Sequence, residues 1–477
     1  MEAIKIFLKE ELEDKLFERS IFNINYWEYV RAIISCEVNS VVSNSSKMFA
    51  KNKFNLKKYI PNIKNIKNYF LRKRNADILI VSQPRRINHE GKYKNNYIDY
   101  YVDFLKNDYN VLTLEEPSWS SLGVSTKSHE FPLYTENIFL TDFHELNFLF
   151  KKMIFKLFRR KKYKQIIREY NELNSIINSW YKLDTIDFKN YFIDSIIRLL
   201  YDRKYIKKIL NVIKPKIIML HFMPSVFKEM LIYECNERNI KTIEVQHGTI
   251  TKVDPLVNKC LDLSKLKVDN KYIFGFGKNQ INKYALSIKN LDNVKSIGFP
   301  FFEEKLTTLK PKKRKYILII SQSTIGDEMS KFASKLADLL KNTKIKIVFK
   351  YHPNEMSRDY KCLKKSNIIE IKNEKNIYDI QNESFLQIGS YSTSLYEGFA
   401  MKVPTLVIRT MFGSVETIDI FYDINKGVYF IDSPEDVLDF INKKNITPLE
   451  KDIKKLWQTN SKKNLLENIK KIMKEVE

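Results

Sequence analysis

At 477 residues, with 44% hydrophobic and 13% aromatic side chains, the chain is long enough for two or three domains with buried cores and too apolar to be disordered. Its 82 Lys and Arg against 57 Asp and Glu leave a formal charge of +25, which points to nucleic acid, an acidic membrane surface or an anionic substrate. The Lys/Ile/Asn-heavy texture, with only 11 Gly, makes part of that excess compositional.

Cys36, Cys235, Cys260 and Cys362 are scattered without a CxxC pair, which suggests neither a disulfide framework nor a zinc site and fits a reducing compartment. The N-terminus "MEAIKIFLKEELEDKLFERS" lacks the apolar run of a signal peptide, and no window reaches the roughly 18 apolar residues of a spanning helix. The expected location is the cytoplasm, with contact to the inner face of the cytoplasmic membrane left open.

In chain order, residues 1–75 read as a helical, basic, appended segment ending in "KKYIPNIKNIKNYFLRKRN". From Ala76 the strand-length run "ADILIVSQ", a helix-like "YIDYYVDFLKND" and a second strand "YNVLTLEE" open a βαβ pattern. A helical insertion over 145–203 interrupts it. "KPKIIMLHF", "KTIEVQHG", "KYIFGFG" and "VKSIGFP" then restore the alternation to about residue 300. The polar stretch 301–315 reads as a linker.

A second domain over 316–445 carries the strands "YILIISQ", "KIKIVFKYH", "IIEI", "SFLQIGS" and "TLVIRT" with amphipathic helices between them. The tail, 446–477, is helical and is expected to pack back on the first domain. Strands alternating with helices predict an α/β fold with two doubly wound, Rossmann-like domains facing a cleft, where ligands bind at the carboxyl ends of strands.

Five motifs follow such ends, three of them in the second domain. In "FKYHPNE", His352 can donate to a phosphate oxygen while Pro353 fixes an extended turn; the alternative is a histidine that merely caps a loop. "IGSYSTSLYEG" leads into a helix whose first turn offers Ser392, Thr393 and Ser394 beside free N–H groups, a natural phosphate site. There Glu397 either reaches back to Ser394 in a capping box or holds a ribose diol. "ISQSTIG" places Ser321, Gln322, Ser323 and Thr324 at the same edge without the spacing of a known phosphate loop.

In the first domain, "EVQHGTI" ends a strand with Gln246, His247 and Gly248, and "SQPRRINHEGKYKNN" gathers Arg85, Arg86, His89 and Glu90 in one loop. His247 is either a ligand contact or a satisfied loop histidine. Glu90, flanked by cations, is either a general base or an ordinary exposed carboxylate. Apolar residues at 146, 149, 150, 153, 154, 157 and 158 mark one face of a basic helix carrying Lys151, Lys152, Lys156, Arg159, Arg160, Lys161 and Lys162. Such a helix over 146–163 suits either an anionic membrane surface or packing into the domain.

With these residues in place, the chain resembles bacterial GT-B glycosyltransferases that build capsular and other surface polysaccharides. "SQSTIG", "KYHPNE" and "YSTSLYEG" look like that group's donor-half motifs and are similar to elements of bacterial sialyltransferases and polysialyltransferases. "VQHG" and "GFP" are similar to landmarks of capsule transferases, including those handling Kdo. The resemblance spans about residues 76–440.

It implies a nucleotide-sugar donor as co-substrate, with a CMP-linked acidic sugar favoured, no separate cofactor, and a saccharide or lipid-linked acceptor. Gln322, Ser323, Thr324, His352, Pro353, Ser392, Thr393, Ser394 and Glu397 would hold the donor; Arg85, Arg86, Gln246 and Gly248 would line the acceptor or phosphate cleft. "HEG" is the nearest match to an acidic-acidic-glycine motif, which makes Glu90 the expected base and His247 its substitute. No Asp-x-Asp occurs in the sequence, so no metal ligand is assigned. The alternatives are a nucleotide-sugar 2-epimerase, a CDP-polyol phosphotransferase and a basic nucleic-acid binder, the last without a recognisable nucleic-acid-reading motif.

Overall fold

The computed structural model describes residues 2–42, 75–82, 87–89, 92–115, 138–140, 142–221, 225–248, 250, 261–281, 288–372, 374–411, 414–443 and 445–476. In chain order the first half comprises α1 (Glu2–Glu13), α2 (Trp27–Val42), β1 (Ile78–Ser82), α3 (Asp99–Leu105), β2 (Val111–Glu115), β3 (Ile138–Leu140), α4 (Asp142–Phe158), α5 (Arg160–Tyr181) and α6 (Lys189–Ile213). It continues with β4 (Ile217–His221), α7 (Val226–Asn236), β5 (Lys241–Val245), β6 (Tyr272–Gly275), β7 (Val294–Ser296) and α8 (Pro300–Thr308). The second half runs β8 (Tyr316–Ile320), α9 (Gly326–Leu339), β9 (Lys346–Lys350), β10 (Ile368–Ile371), α10 (Ile377–Asn382), β11 (Ser384–Gly389), α11 (Thr393–Ala400), β12 (Thr405–Ile408), α12 (Ser414–Ile420) and β13 (Val428–Ile431). Two tail helices follow, α13 (Glu450–Leu456) and α14 (Ser461–Lys474).

The first sheet has the order β7-β6-β5-β4-β1-β2-β3 and the second β10-β9-β8-β11-β12-β13, parallel at every pairing. Both are doubly wound. Strands β1 and β4 are buried at every position, as strands covered by helices on both faces must be. Their alternate residues part cleanly: Leu79, Val81, Ile218 and Leu220 face α1, α2, α5, α6 and α7, whereas Ile78, Ile80, Ile217 and Met219 face α3 and α14.

Three sequence readings change. Residues 2–42 are not an appendage: Tyr26, Trp27, Val30 and Ile34 join the first sheet's core, and the buried Glu11 accepts from Trp27 Nε1 (2.8 Å) and Arg31 Nε (2.8 Å). The basic stretch 51–74 lies outside the described residues. Helices α4, α5 and α6, read as an insertion, supply much of one helical layer, with Phe148, Ile166, Leu173 and Phe192 buried against it. The supposed linker begins as α8, whose Phe301 and Phe302 are buried between the two domains; its charges hid a pair of core aromatics.

The two sheets are joined by that interdomain core. Phe276, Phe299, Phe301 and Phe302 from the first domain meet Tyr378, Tyr396, Phe399 and Phe421 from the second around Trp457. The tail passes close to the first domain because Gly277 and Gly298 lack a Cβ: one added at Gly277 would stand 2.0 Å from Leu456 O, and one at Gly298, where φ is +99°, would stand 2.4 Å from Gln458 O. Beyond it, Glu303 caps α14 by accepting from the N–H groups of Asn460 (2.7 Å) and Ser461 (2.9 Å). Leu465, Ile469 and Ile472 then seal the far face of the first sheet.

Trp457 is buried, stacks on Phe276 at 5.6 Å, lies 4.6 Å from Phe302 and donates from Nε1 to Tyr396 O at 3.0 Å. Trp457→Ala is expected to lower unfolding free energy by about 3–5 kcal/mol, read from the midpoint of a urea titration. A loss below about 1 kcal/mol would remove Trp457 as the link between the halves.

Candidate functional site

The order of the second sheet reverses at β8 and β11, so the loops leaving these strands diverge and open a crevice at their carboxyl ends. Ser321–Ile325 leaves β8, Ser390–Ser392 leaves β11, and Tyr351–Glu355 leaves β9, the neighbour of β8. The three hydroxyl- and imidazole-bearing motifs therefore sit on adjacent strand ends. Thr324 Oγ1 and Tyr391 Oη share a hydrogen bond that ties the first two loops together.

A residue passed over in the sequence organises this edge. Glu355, fully buried, accepts from Ser321 Oγ (3.1 Å), Tyr360 Oη (2.6 Å) and the N–H of His352 (2.8 Å), while its own N–H donates to His352 O at 2.8 Å. The close turn so formed holds His352 half-buried at the crevice and leaves Pro353 exposed. Nothing local distinguishes Glu355 from a solvated glutamate; only its burial reveals it.

At α11 the capping differs from expectation. Ser392, not Ser394, is the N-cap, its Oγ accepting from Ser394 N at 3.3 Å. Glu397 is buried one turn further on and accepts from Tyr378 Oη at 3.0 Å and from the Ser394 hydroxyl. Burial pushes its carboxyl up to about 7, against the opposing pull of these two hydroxyl donors. Gln322, Ser323, Ser392, Thr393 and Ser394 are all partly accessible, and Thr324 is exposed.

The opposing wall comes from the first domain. Gln246 is buried with both ends of its amide on main chain: Nε2 donates to Gly248 O (2.6 Å) and Gln280 O (3.0 Å), and Oε1 accepts from Phe276 N (2.7 Å). It therefore shapes the turn that presents His247 and Gly248. A Cβ built on Gly248 would stand 3.9 Å from Thr393 Oγ1, so this turn and the start of α11 meet across the cleft.

His247 in turn lies edge-on to His221, ring centroids 5.3 Å apart, and Tyr97 lies 4.9 Å beyond. His221 ends β4 at the first sheet's own reversal point. The criterion that selected His247 and His352, a histidine at the carboxyl end of a strand, would have selected His221 as well. The side chains of Arg85, Arg86, His89 and Glu90 lie outside the described residues.

No family model matches the sequence, and no curated protein matches it. Among solved structures, the UDP-GlcNAc 2-epimerase of Methanocaldococcus jannaschii superposes with a TM-score of 0.50 at 10% identity, over 83% of this chain and 99% of that one. The fold is of the GT-B type.

The glycotransferase of kitacinnamycin gives 0.48 at 9% identity, over 84% of this chain and all (100%) of that one. A wall teichoic acid polymerase gives 0.43 at 10% identity, over 96% and 99%. In this GT-B chain, no described helix is long and apolar enough to cross a membrane, and no three described His, Cys, Asp or Glu side chains gather in a metal-ligand cluster.

Two expectations follow from this geometry. Glu355→Ala leaves three donors, two of them buried, without their acceptor and is expected to cost about 2–4 kcal/mol of unfolding free energy, measured in urea; an unchanged midpoint would contradict the bracing role. Glu397 starts from an ordinary value of 4.5, so a folded-state value raised to about 7 makes ionisation unfavourable to the fold. Its effect is absent below pH 4.5 and grows as pH rises through 7. Glu397→Gln should therefore gain stability relative to the native chain between pH 5 and pH 8, about 1 kcal/mol or more across that interval. Parallel curves for the two proteins would remove the effect.

Proposed function

We propose that this protein is a glycosyltransferase that moves a sugar from a nucleotide-sugar to a saccharide or lipid-linked saccharide in surface polysaccharide synthesis. The observation that carries the reading is the convergence of His352, the Ser321–Thr324 loop and Ser392–Ser394 on three adjacent strand ends at the reversal point of a parallel sheet. An anion at the start of α11 meets the positive end of the helix dipole, with the hydroxyls of Ser392, Thr393 and Ser394 alongside; the Ser394 N–H is capped by Ser392 Oγ and its hydroxyl faces Glu397, so both would turn to the anion on binding. His352 adds a donor from the next loop but one. Glu397, set by Tyr378 and Ser394 one turn into α11, is the carboxylate assigned to a ribose diol.

In this reading the acceptor lies on the first-domain side. Its hydroxyl oxygen attacks the anomeric carbon, the carbon–oxygen bond to phosphate breaks, and the nucleotide leaves with the bonding pair. The charge that develops on phosphate is taken by the α11 terminus, the hydroxyls and His352. The acceptor proton passes to Glu90 or to His247, and the edge-on contact with His221 orients the imidazole of the latter. The resemblance assigns Arg85 and Arg86 to the acceptor side as well, where Gly248 lies and Gln246 holds the turn in shape.

The resemblance to sialyl- and Kdo-transferases supports CMP as the nucleotide, and the fold shared with the epimerase keeps UDP in view. Thermal denaturation with CMP, CDP, UDP and GDP decides between them. A ligand at about 100 times its Kd raises stability by about 2.7 kcal/mol, a shift of several degrees, and the shift should disappear in His352→Ala. Selective stabilisation by CMP supports an acidic-sugar donor, whereas UDP reassigns it. No shift with any nucleotide, or an epimerised sugar formed without acceptor, overturns the transferase reading.

A further inference from the structure

We propose that the bend between α4 and α5 is a docking surface for an anionic lipid bilayer. The proposal stands apart from the transfer reading and rests on that bend alone. Helix α4 is already anchored on one side: Phe148 and Phe155 are buried, with the Arg198 guanidinium 4.0 Å over the Phe148 ring and Tyr201 edge-on to Phe155 at 6.5 Å. Its other side is bare. Phe150, Met153 and Leu157, at i, i+3 and i+7, are 58%, 53% and 52% exposed, and Phe158 at the bend is 81% exposed.

The apolar face that the sequence marks is thus mainly the outward one, with Leu149 and Ile154 half-buried, whereas the buried Phe148 and Phe155 fall outside that set; the outward group has no partner among the described residues. Around it the charge is of one sign. From Leu146 to Arg168 the sequence holds nine Lys and Arg and no Asp or Glu. Lys156, Arg159, Arg160, Lys161, Lys162 and Lys164 are exposed. Lys152 pairs with Asp194 at 2.5 Å, which fixes the inner side of α4 and leaves the outer side cationic.

Four large apolar side chains in water, ringed by cations that repel one another, are unfavourable on both counts. A bilayer carrying anionic headgroups relieves both, because the apolar tips enter the boundary of the acyl region while long basic stems keep their charges at phosphate depth. The shape selects this occupant over a folded acidic protein. The tip projects from a helix bend, and a projecting tip enters a fluid surface without needing a matching pocket. With no described helix fit to cross a membrane, the chain would lie on the surface.

The test uses the purified full chain, sedimented with vesicles of phosphatidylcholine alone and with vesicles containing phosphatidylglycerol. Binding to the anionic vesicles is expected to be at least about tenfold tighter, and to weaken as salt rises. The exposed-site variant F150S/F158S should lose about tenfold in vesicle affinity with an unchanged melting temperature, and R160E/K161E should lose the preference for phosphatidylglycerol. Equal binding to both vesicle types, or native-like binding by F150S/F158S, overturns the proposal. So does capture by soluble polyglutamate with vesicles left unbound, which would assign the patch to an acidic macromolecule. A dimer that F150S/F158S dissolves, without vesicle binding, would assign it to a second copy of the chain.

Discussion

The burial of Trp457 between the two sheets sets the distance between the halves of the cleft. Its ring stacks on first-domain aromatics while its N–H binds the carbonyl of Tyr396 in α11, the helix that begins at the hydroxyl cluster. Gln280 Nε2 holds Leu456 O at 2.9 Å from the first domain, and Gln458 N reaches Phe276 O at 2.8 Å. The tail is thus fastened to the first domain on either side of Trp457. From Trp457 the aromatic contacts continue through Phe276, Phe299 and Tyr97 to His221 and His247. One unbroken run of packed rings joins the domain contact to the cleft wall, so a change in how the domains meet changes where His247 stands.

Carboxylates brace this frame wherever main-chain N–H groups would otherwise lack acceptors. Glu355 closes the loop bearing His352, Glu303 closes the start of α14, and Glu28 accepts from the N–H groups of Lys267 and Val268 at 2.8 Å, joining α2 to the segment before β6. A charged acceptor binds several donors at once, and an alanine in its place strands all of them. In the first domain this bracing makes α2 part of the body that carries the cleft wall.

The alternation of strand-length apolar runs with amphipathic helices was enough to place both sheets, because a strand buried on both faces must be apolar throughout. The motif edge was legible for the same reason: a histidine or hydroxyl run directly after such a strand has few places to be. What stayed hidden depends on long-range contact. Phe301 and Phe302 sit among lysines and glutamates, and only the interdomain core explains them. Gln246 looks like a surface polar residue until its hydrogen bonds to distant main chain are seen, and Glu355 until its burial against the Ser321 and Tyr360 hydroxyls is. His221 was legible and passed over. The cap at Ser392 was misplaced because Ser392 and Ser394 both precede suitable partners, and the backbone turn, β-like at Ser392 with φ −176° and ψ 139°, decides between them.

Glu397 ties these features to the chemistry proposed for the cleft. It sits one turn inside the helix whose start offers the anion site, sealed by Tyr378 in the interdomain core. A charged carboxylate there would oppose a phosphate, yet burial, working against two hydroxyl donors, raises its carboxyl to about 7. An arriving phosphate raises its proton affinity further, since like charges disfavour joint ionisation. In the proposed reading, donor binding would be coupled to proton uptake by Glu397, whose neutral carboxyl can donate as well as accept. The departing nucleotide would reverse the coupling, because the carboxyl would regain its ordinary balance once the phosphate is gone. The same burial that weakens the fold at high pH thus removes a repulsion from the place where the donor's charge would rest.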